Sequence, residues 1–101
     1  MNLSEQANAH NLLGTIYEQQ NKYDSASYNF VRALRLSQIA KDKNEILSSY
    51  LHLGIYYKKI DNITNSLFNL LEAMKISEEV RDSSILFTIS INLGTMYERT
   101  L

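Results

Sequence analysis

The sequence predicts an all-α fold, an α-solenoid of antiparallel helix pairs, on three observations. Glycine occurs only at Gly14, Gly54 and Gly94, spaced 40 residues apart. Proline is absent, so no residue in the chain forces a helix to break. Inside each unit the apolar residues recur at helical spacing rather than in alternation, as at Tyr23, Ala26, Phe30, Ala33 and Leu34. A fixed period of this size is the signature of a stacked array, in which each unit buries its apolar face against its neighbours.

The elements follow in order. A first helix is expected at about residues 4–20, carrying Gly14 and Tyr17, and ends at the polar break around "QNKYD". A second, about 24–41, carries Ala26, Phe30 and Ala33 and stops at "KDKN". Asp42 followed by Glu45 has the spacing of a capping box and starts the third helix, about 44–59. "IDN" separates this from a fourth helix at about 63–80, with Ile63, Leu67, Leu70, Leu71 and Met74 on its apolar stripe. After "RDSS" the fifth, about 84–101, repeats the first-helix phrase a third time as "INLGTMYERTL". At an offset of 40, Leu13, Leu53 and Leu93 coincide, as do Tyr17, Tyr57 and Tyr97. The pairs Asn29/Asn69, Ala33/Ala73, Ser37/Ser77 and Asp42/Asp82 coincide too. The organisation expected is one array over 1–101: a first repeat at about 4–43, a second at about 44–83 and a half repeat at 84–101.

Composition narrows the function. The chain of 101 residues is 45% apolar and carries 10 basic against 11 acidic residues. The balance holds in each half, so no surface-wide attraction to phosphate or to an anionic membrane is expected. With no cysteine there is neither disulfide nor thiolate ligand, which fits a reducing, cytoplasmic setting. The opening "MNLSEQANAH" lacks the basic-then-apolar order of a signal peptide, and no apolar run approaches a membrane span of ~20 residues.

The residues that could carry chemistry are scattered. His10 and His52 occupy different slots of the repeat, so packing is expected of them rather than metal binding. Glu78 and Glu79 are adjacent on a helix and point apart, unlike a catalytic carboxylate pair. Each glycine stands alone inside a helix, unlike a phosphate-cradling loop, and no G-x-S-x-G elbow occurs. Lys41, Lys43, Lys58 and Lys59 form the one basic grouping, which reads as ordinary solvation and not as a nucleic-acid surface. No enzyme activity, cofactor or metal is expected.

These residues resemble the tetratricopeptide repeat, whose pattern places Leu-Gly-x-x-Tyr on the first helix and Ala-x-x-x-Phe on the second. Leu13, Gly14, Tyr17, Ala26, Phe30 and Ala33 stand at that spacing. The second unit keeps Leu53, Gly54, Tyr57 and Ala73 and substitutes Ser66 and Leu70. The slot of the family's tryptophan is held by His10, Tyr50 and Ser90, and its late proline is missing. The 40-residue period is similar to the long-helix variant found in kinesin light chains and bacterial peptide-sensing regulators. The resemblance implies a right-handed solenoid whose first helices line a concave face that binds peptides or partner helices. Slots on that face are Asn11 and Thr15, Leu51 and Ile55, Ile91 and Thr95, with Glu18, Lys58 and Glu98 four residues after each glycine. Leu51, Ile55 and Ile91 would form an apolar patch in a polar-rimmed groove, and Lys58 would bridge Glu18 and Glu98.

Two expectations concern the glycines. A glycine inside a helix costs ~1 kcal/mol relative to alanine, so three at one slot imply close approach by a partner helix. Gly14 is expected to face Ala26, and Gly54 to face Ser66. On the fifth helix the same stripe, Ser90, Gly94, Tyr97 and Leu101, meets no following helix within this sequence. A longer array, or a homodimer that covers this terminal edge, is therefore expected. The function expected is a scaffold for protein–protein interaction. The alternative is a sensor or oligomerisation segment of a bacterial signalling or transcription regulator whose effector domain lies elsewhere.

Overall fold

A computed structural model describes the backbone of residues 1–100 and the side chains of residues 1–98. The chain is all-helical: α1 (Leu3–Gln19), α2 (Tyr23–Ala40), α3 (Lys43–Lys59), α4 (Ile63–Val80) and α5 (Ser83–Thr100), with no strand among the described residues. The helix bounds lie within about a residue of those expected from the polar breaks.

Side-chain caps start four of the five helices. Asn2, Asp42, Asn62 and Asp82 each accept the backbone N–H three residues on, at 2.8, 3.2, 3.2 and 3.1 Å. This satisfies one of the orphan donors of each first turn. Lys22, before α2, provides no such bond. The expected capping box at Asp42 and Glu45 is only half made. Asp42 caps Glu45, but its own N–H donates to the Ser37 carbonyl at 3.2 Å. Glu45 therefore has no backbone donor to receive there, and burial together with neighbouring Asp42 raises its pKa.

The same competing bond closes every linker. Lys22, Asp42, Asn62 and Asp82 donate their backbone N–H to carbonyls five residues back: Tyr17, Ser37, Tyr57 and Ser77. This is the long bond of the Schellman motif, which needs the residue before the donor in the left-handed region. Asn21, Lys41, Asp61 and Arg81 occupy that region, at φ 59, 55, 61 and 56°. These corners recur every 20 residues, one after each of the first four helices, and none is a glycine.

Packing follows chain order. Each helix packs on the next, α3 also touches α1 and α5, and α1 does not reach α5 among the described residues. Two apolar clusters result. Ala26 and Phe30 of α2 pack with Leu53 and Tyr56 of α3. Leu47 of α3 packs with Leu70 and Ala73 of α4 and with Ile89, Leu93 and Met96 of α5.

The residues that coincide at an offset of 40 make the same bonds. Asn29 and Asn69 donate to the carbonyls of Ser25 and Asn65 at 2.8 and 2.7 Å. Ser37 and Ser77 are buried and donate to Leu34 and Met74, both at 2.8 Å. Polar groups buried at these slots thus have local partners and cost little.

Gly14 and Gly54 do sit where a second helix presses close, though the pressing groups differ from those expected, and Gly94 does not. A Cβ on Gly14 would lie 2.6 Å from the Phe30 ring, and one on Gly54 2.6 Å from a Leu70 methyl. The space over each glycine is filled by the bulky residue one turn beyond Ala26 or Ser66. Ser66 meets Gly54 in another way, donating its hydroxyl to the Gly54 carbonyl at 2.6 Å.

Candidate functional site

Helices α1, α3 and α5 carry the slots assigned to a binding face, and α3 touches both of the others. Two polar bonds mark these junctions. Asn11 Nδ2 donates to Ser49 Oγ at 3.0 Å between α1 and α3, and Lys58 Nζ donates to Asn92 Oδ1 at 2.9 Å between α3 and α5.

The apolar slots differ in burial. Leu51 is half-buried and packs against the α3–α4–α5 cluster. Ile55 is half-buried, and Ile91 is 53% exposed. All three keep some surface open to a partner, and Ile91 keeps the most. Thr15 and Thr95, at equivalent slots of α1 and α5, donate their hydroxyls to the carbonyls of Asn11 and Ile91 at 3.0 and 2.9 Å. Their methyl groups and not their hydroxyls are therefore what they can offer a ligand.

Asn11 is buried, with Nδ2 committed to Ser49 and Oδ1 without a hydrogen-bond partner. Its amide holds α1 to α3 and is not displayed on an open surface. Around the rim, Lys58 reaches Asn92, a contact the residue spacing did not suggest. The cation that bears on Glu18 is Lys59; desolvation nonetheless dominates and raises the Glu18 pKa. Glu18 Oε1 is buried without a hydrogen-bond partner, and Glu98 is exposed.

Both histidines serve packing. His10 Nδ1 lies 2.8 Å from Asn29 Oδ1, joining α1 to α2. His52 stacks on Phe30, with ring centroids 5.4 Å apart and planes 10° from parallel; burial lowers its pKa. Within the basic grouping, Lys43 pairs with Glu79 at 3.0 Å, both side chains being well exposed, a contact worth ~1 kcal/mol or less.

The terminal-edge slots behave differently on α5 from their counterparts. Gly14 and Gly54 are buried, whereas Gly94 is exposed and a Cβ there would meet nothing within 4 Å. Ser90 is exposed where His10 and Tyr50 are half-buried. Tyr97 is 55% exposed where Tyr17 and Tyr57 pack into the α2–α3 cluster. Leu101, the last of these slots, lies outside the described residues. One member of this stripe is not signalled by the sequence. Phe87 is 68% exposed, although its counterparts Ala7 and Leu47 are buried at 0 and 1%. The offset of 40 that aligned the glycines also aligns these three, but their side chains differ too much to register as a repeat.

No family model, no curated protein and no solved structure matches this chain.

Proposed function

We propose that this chain is a binding module, a right-handed solenoid of antiparallel helix pairs similar to tetratricopeptide repeats, which captures a protein or peptide and catalyses no reaction. The groove runs across α1, α3 and α5. Leu51, Ile55 and Ile91 supply its apolar floor, Thr15 and Thr95 its sides, and Glu18, Lys58 and Glu98 a rim of both signs. Asn11 supports the floor from below. The observation that carries this reading is the partial exposure of Leu51, Ile55 and Ile91 at two repeated slots of neighbouring helices. A groove with an apolar floor and a mixed-charge rim suits a short amphipathic segment that buries one or two apolar side chains and keeps its charges at the edge. The even charge of the chain supports a protein partner over nucleic acid. No described helix is long and apolar enough to cross a membrane, and the absence of cysteine supports a cytoplasmic setting.

The test is selection from a displayed peptide library, with affinity then measured by fluorescence anisotropy. Ile55→Glu and Ile91→Glu should each weaken the selected peptide at least tenfold while leaving helicity unchanged. Unchanged affinity in both variants would remove the groove as the site. A second reading, an oligomerisation or sensor segment of a bacterial signalling or transcription regulator, is supported by the apolar stripe on α5.

A further inference from the structure

The stripe on α5 is ordered in a way the other first helices are not. On α1 the four slots read Ala7, His10, Gly14, Tyr17, and on α3 they read Leu47, Tyr50, Gly54, Tyr57. On α5 they read Phe87, Ser90, Gly94, Tyr97. Only here are two small residues flanked by two large aromatic ones. The order is symmetric about Asn92, since Ser90 and Gly94 stand two residues to either side and Phe87 and Tyr97 five. At 3.6 residues per turn these four positions share one face of the helix. Asn92 itself points elsewhere, toward Lys58 of α3.

We propose that this face pairs with the same face of a second copy of the chain, α5 against α5, antiparallel about a two-fold axis at Asn92. A two-fold contact requires a self-complementary surface, and the symmetric order provides one. In that register Ser90 of each copy lies over Gly94 of the other, where the lack of bulk lets the two helices approach closely. Phe87 of each copy then meets Tyr97 of the other, an aromatic pair at either end of the contact. None of the four side chains is charged, so the pairing desolvates no ion. A single helix pair buries less than the ~1,200 Å² of a small stable interface, so the association is expected to be weak and concentration-dependent. The four contact residues do not include Ile91, Thr95 or Glu98, the groove residues of α5, so variants at Gly94 and at Ile55 of α3 test the dimer and the groove separately.

The 101-residue chain tests this directly. Light scattering coupled to size-exclusion should show a monomer at low micromolar concentration, with the mass rising toward twice that value on concentration. Gly94→Leu places a side chain in open space and removes a helix-weakening glycine, so its helicity and melting temperature at low concentration should equal or exceed the parent's, while the rise in mass is lost. Ile55→Glu, which disables the groove, should leave the dimer intact. Because the chain has no cysteine, the register can be read by cross-linking. Ser90→Cys chains mixed with Gly94→Cys chains should oxidise to a disulfide dimer several-fold faster than either variant alone. A mass that stays monomeric up to millimolar concentration overturns the proposal. So does a dimer unaffected by Gly94→Leu, or a mixture that cross-links no faster than its components.

Discussion

Gly54 and Gly94 occupy one slot of the repeat, yet they should respond to the same substitution with opposite sign. Replacing glycine by alanine inside a helix is worth up to ~1 kcal/mol of stability. At Gly54 that gain meets Leu70, whose methyl and Cγ would lie 2.6 and 2.7 Å from the new Cβ, with the Leu70 backbone nitrogen at 3.4 Å. At Gly14 the obstacle is a flat Phe30 ring held between helices. Overpacking of this kind costs about 1–3 kcal/mol, which exceeds the propensity gain. At Gly94 nothing opposes the gain. Urea unfolding of the monomer should therefore show Gly14→Ala and Gly54→Ala destabilised, and Gly94→Ala stabilised by ~0.5–1 kcal/mol. Equal effects at Gly54 and Gly94 would show that close helix approach is not what the glycine slot records. The slot was visible in the sequence, because a helix-weakening residue retained three times at one period needs a common cause. Which atoms fill it was hidden, because Ala26 and Ser66 are small and the contact passes to Phe30 and Leu70 one turn along.

At the scale of the element, the helix ends show what sequence reading can and cannot recover. The starts were legible from the polar breaks and, for α3, from the capping residue Asp42; Asn62 and Asp82 cap α4 and α5 in the same way. The left-handed corners were not. Glycine or asparagine is the usual signal for such a corner, but Lys41 and Arg81 fill the two second-helix exits with long side chains at positive φ. The left-handed conformation costs an ordinary residue ~1–2 kcal/mol, whereas glycine adopts it freely and loses ~0.5–1 kcal/mol of entropy instead. Lys41→Gly should then stabilise the chain by ~0.5–1 kcal/mol in thermal or denaturant unfolding. The Asp42–Ser37 bond keeps the corner closed in both forms. A destabilised Lys41→Gly variant would mean that the lysine side chain contributes more to the corner than its backbone costs. The groove was only partly legible for a related reason. Spacing identifies which residues share a slot, but Asn11 is buried and Ile91 exposed at equivalent positions, because burial depends on which helices flank the slot.

For the whole molecule, stability should be distributed by neighbours, as in any array where contacts run only between adjacent units. Helix α3 touches the other four, and among the described residues α5 touches only α3 and α4. Apolar surface is likewise uneven. Leu53 and Tyr56 of α3 are buried, with Phe30 and Tyr23 of α2 against Tyr56, while the equivalent Leu13 and Ile16 of α1 are exposed. On α5, Leu93 and Met96 are buried toward α4 and α3, while Phe87 and Tyr97 are exposed. A helix packed along one side opens locally at lower free energy than one enclosed on several. In native-state hydrogen exchange of the monomer, α3 amides should exchange only by global unfolding, and α5 amides by local opening at least ~1–2 kcal/mol easier. Raising the concentration into the dimer range should then slow exchange in α5 and leave α3 unchanged, since only α5 gains a neighbour. Exchange as slow in α5 as in α3 at low concentration would mean that the chain unfolds as one cooperative block. Protection that rises in every helix together would mean that association does not act through α5.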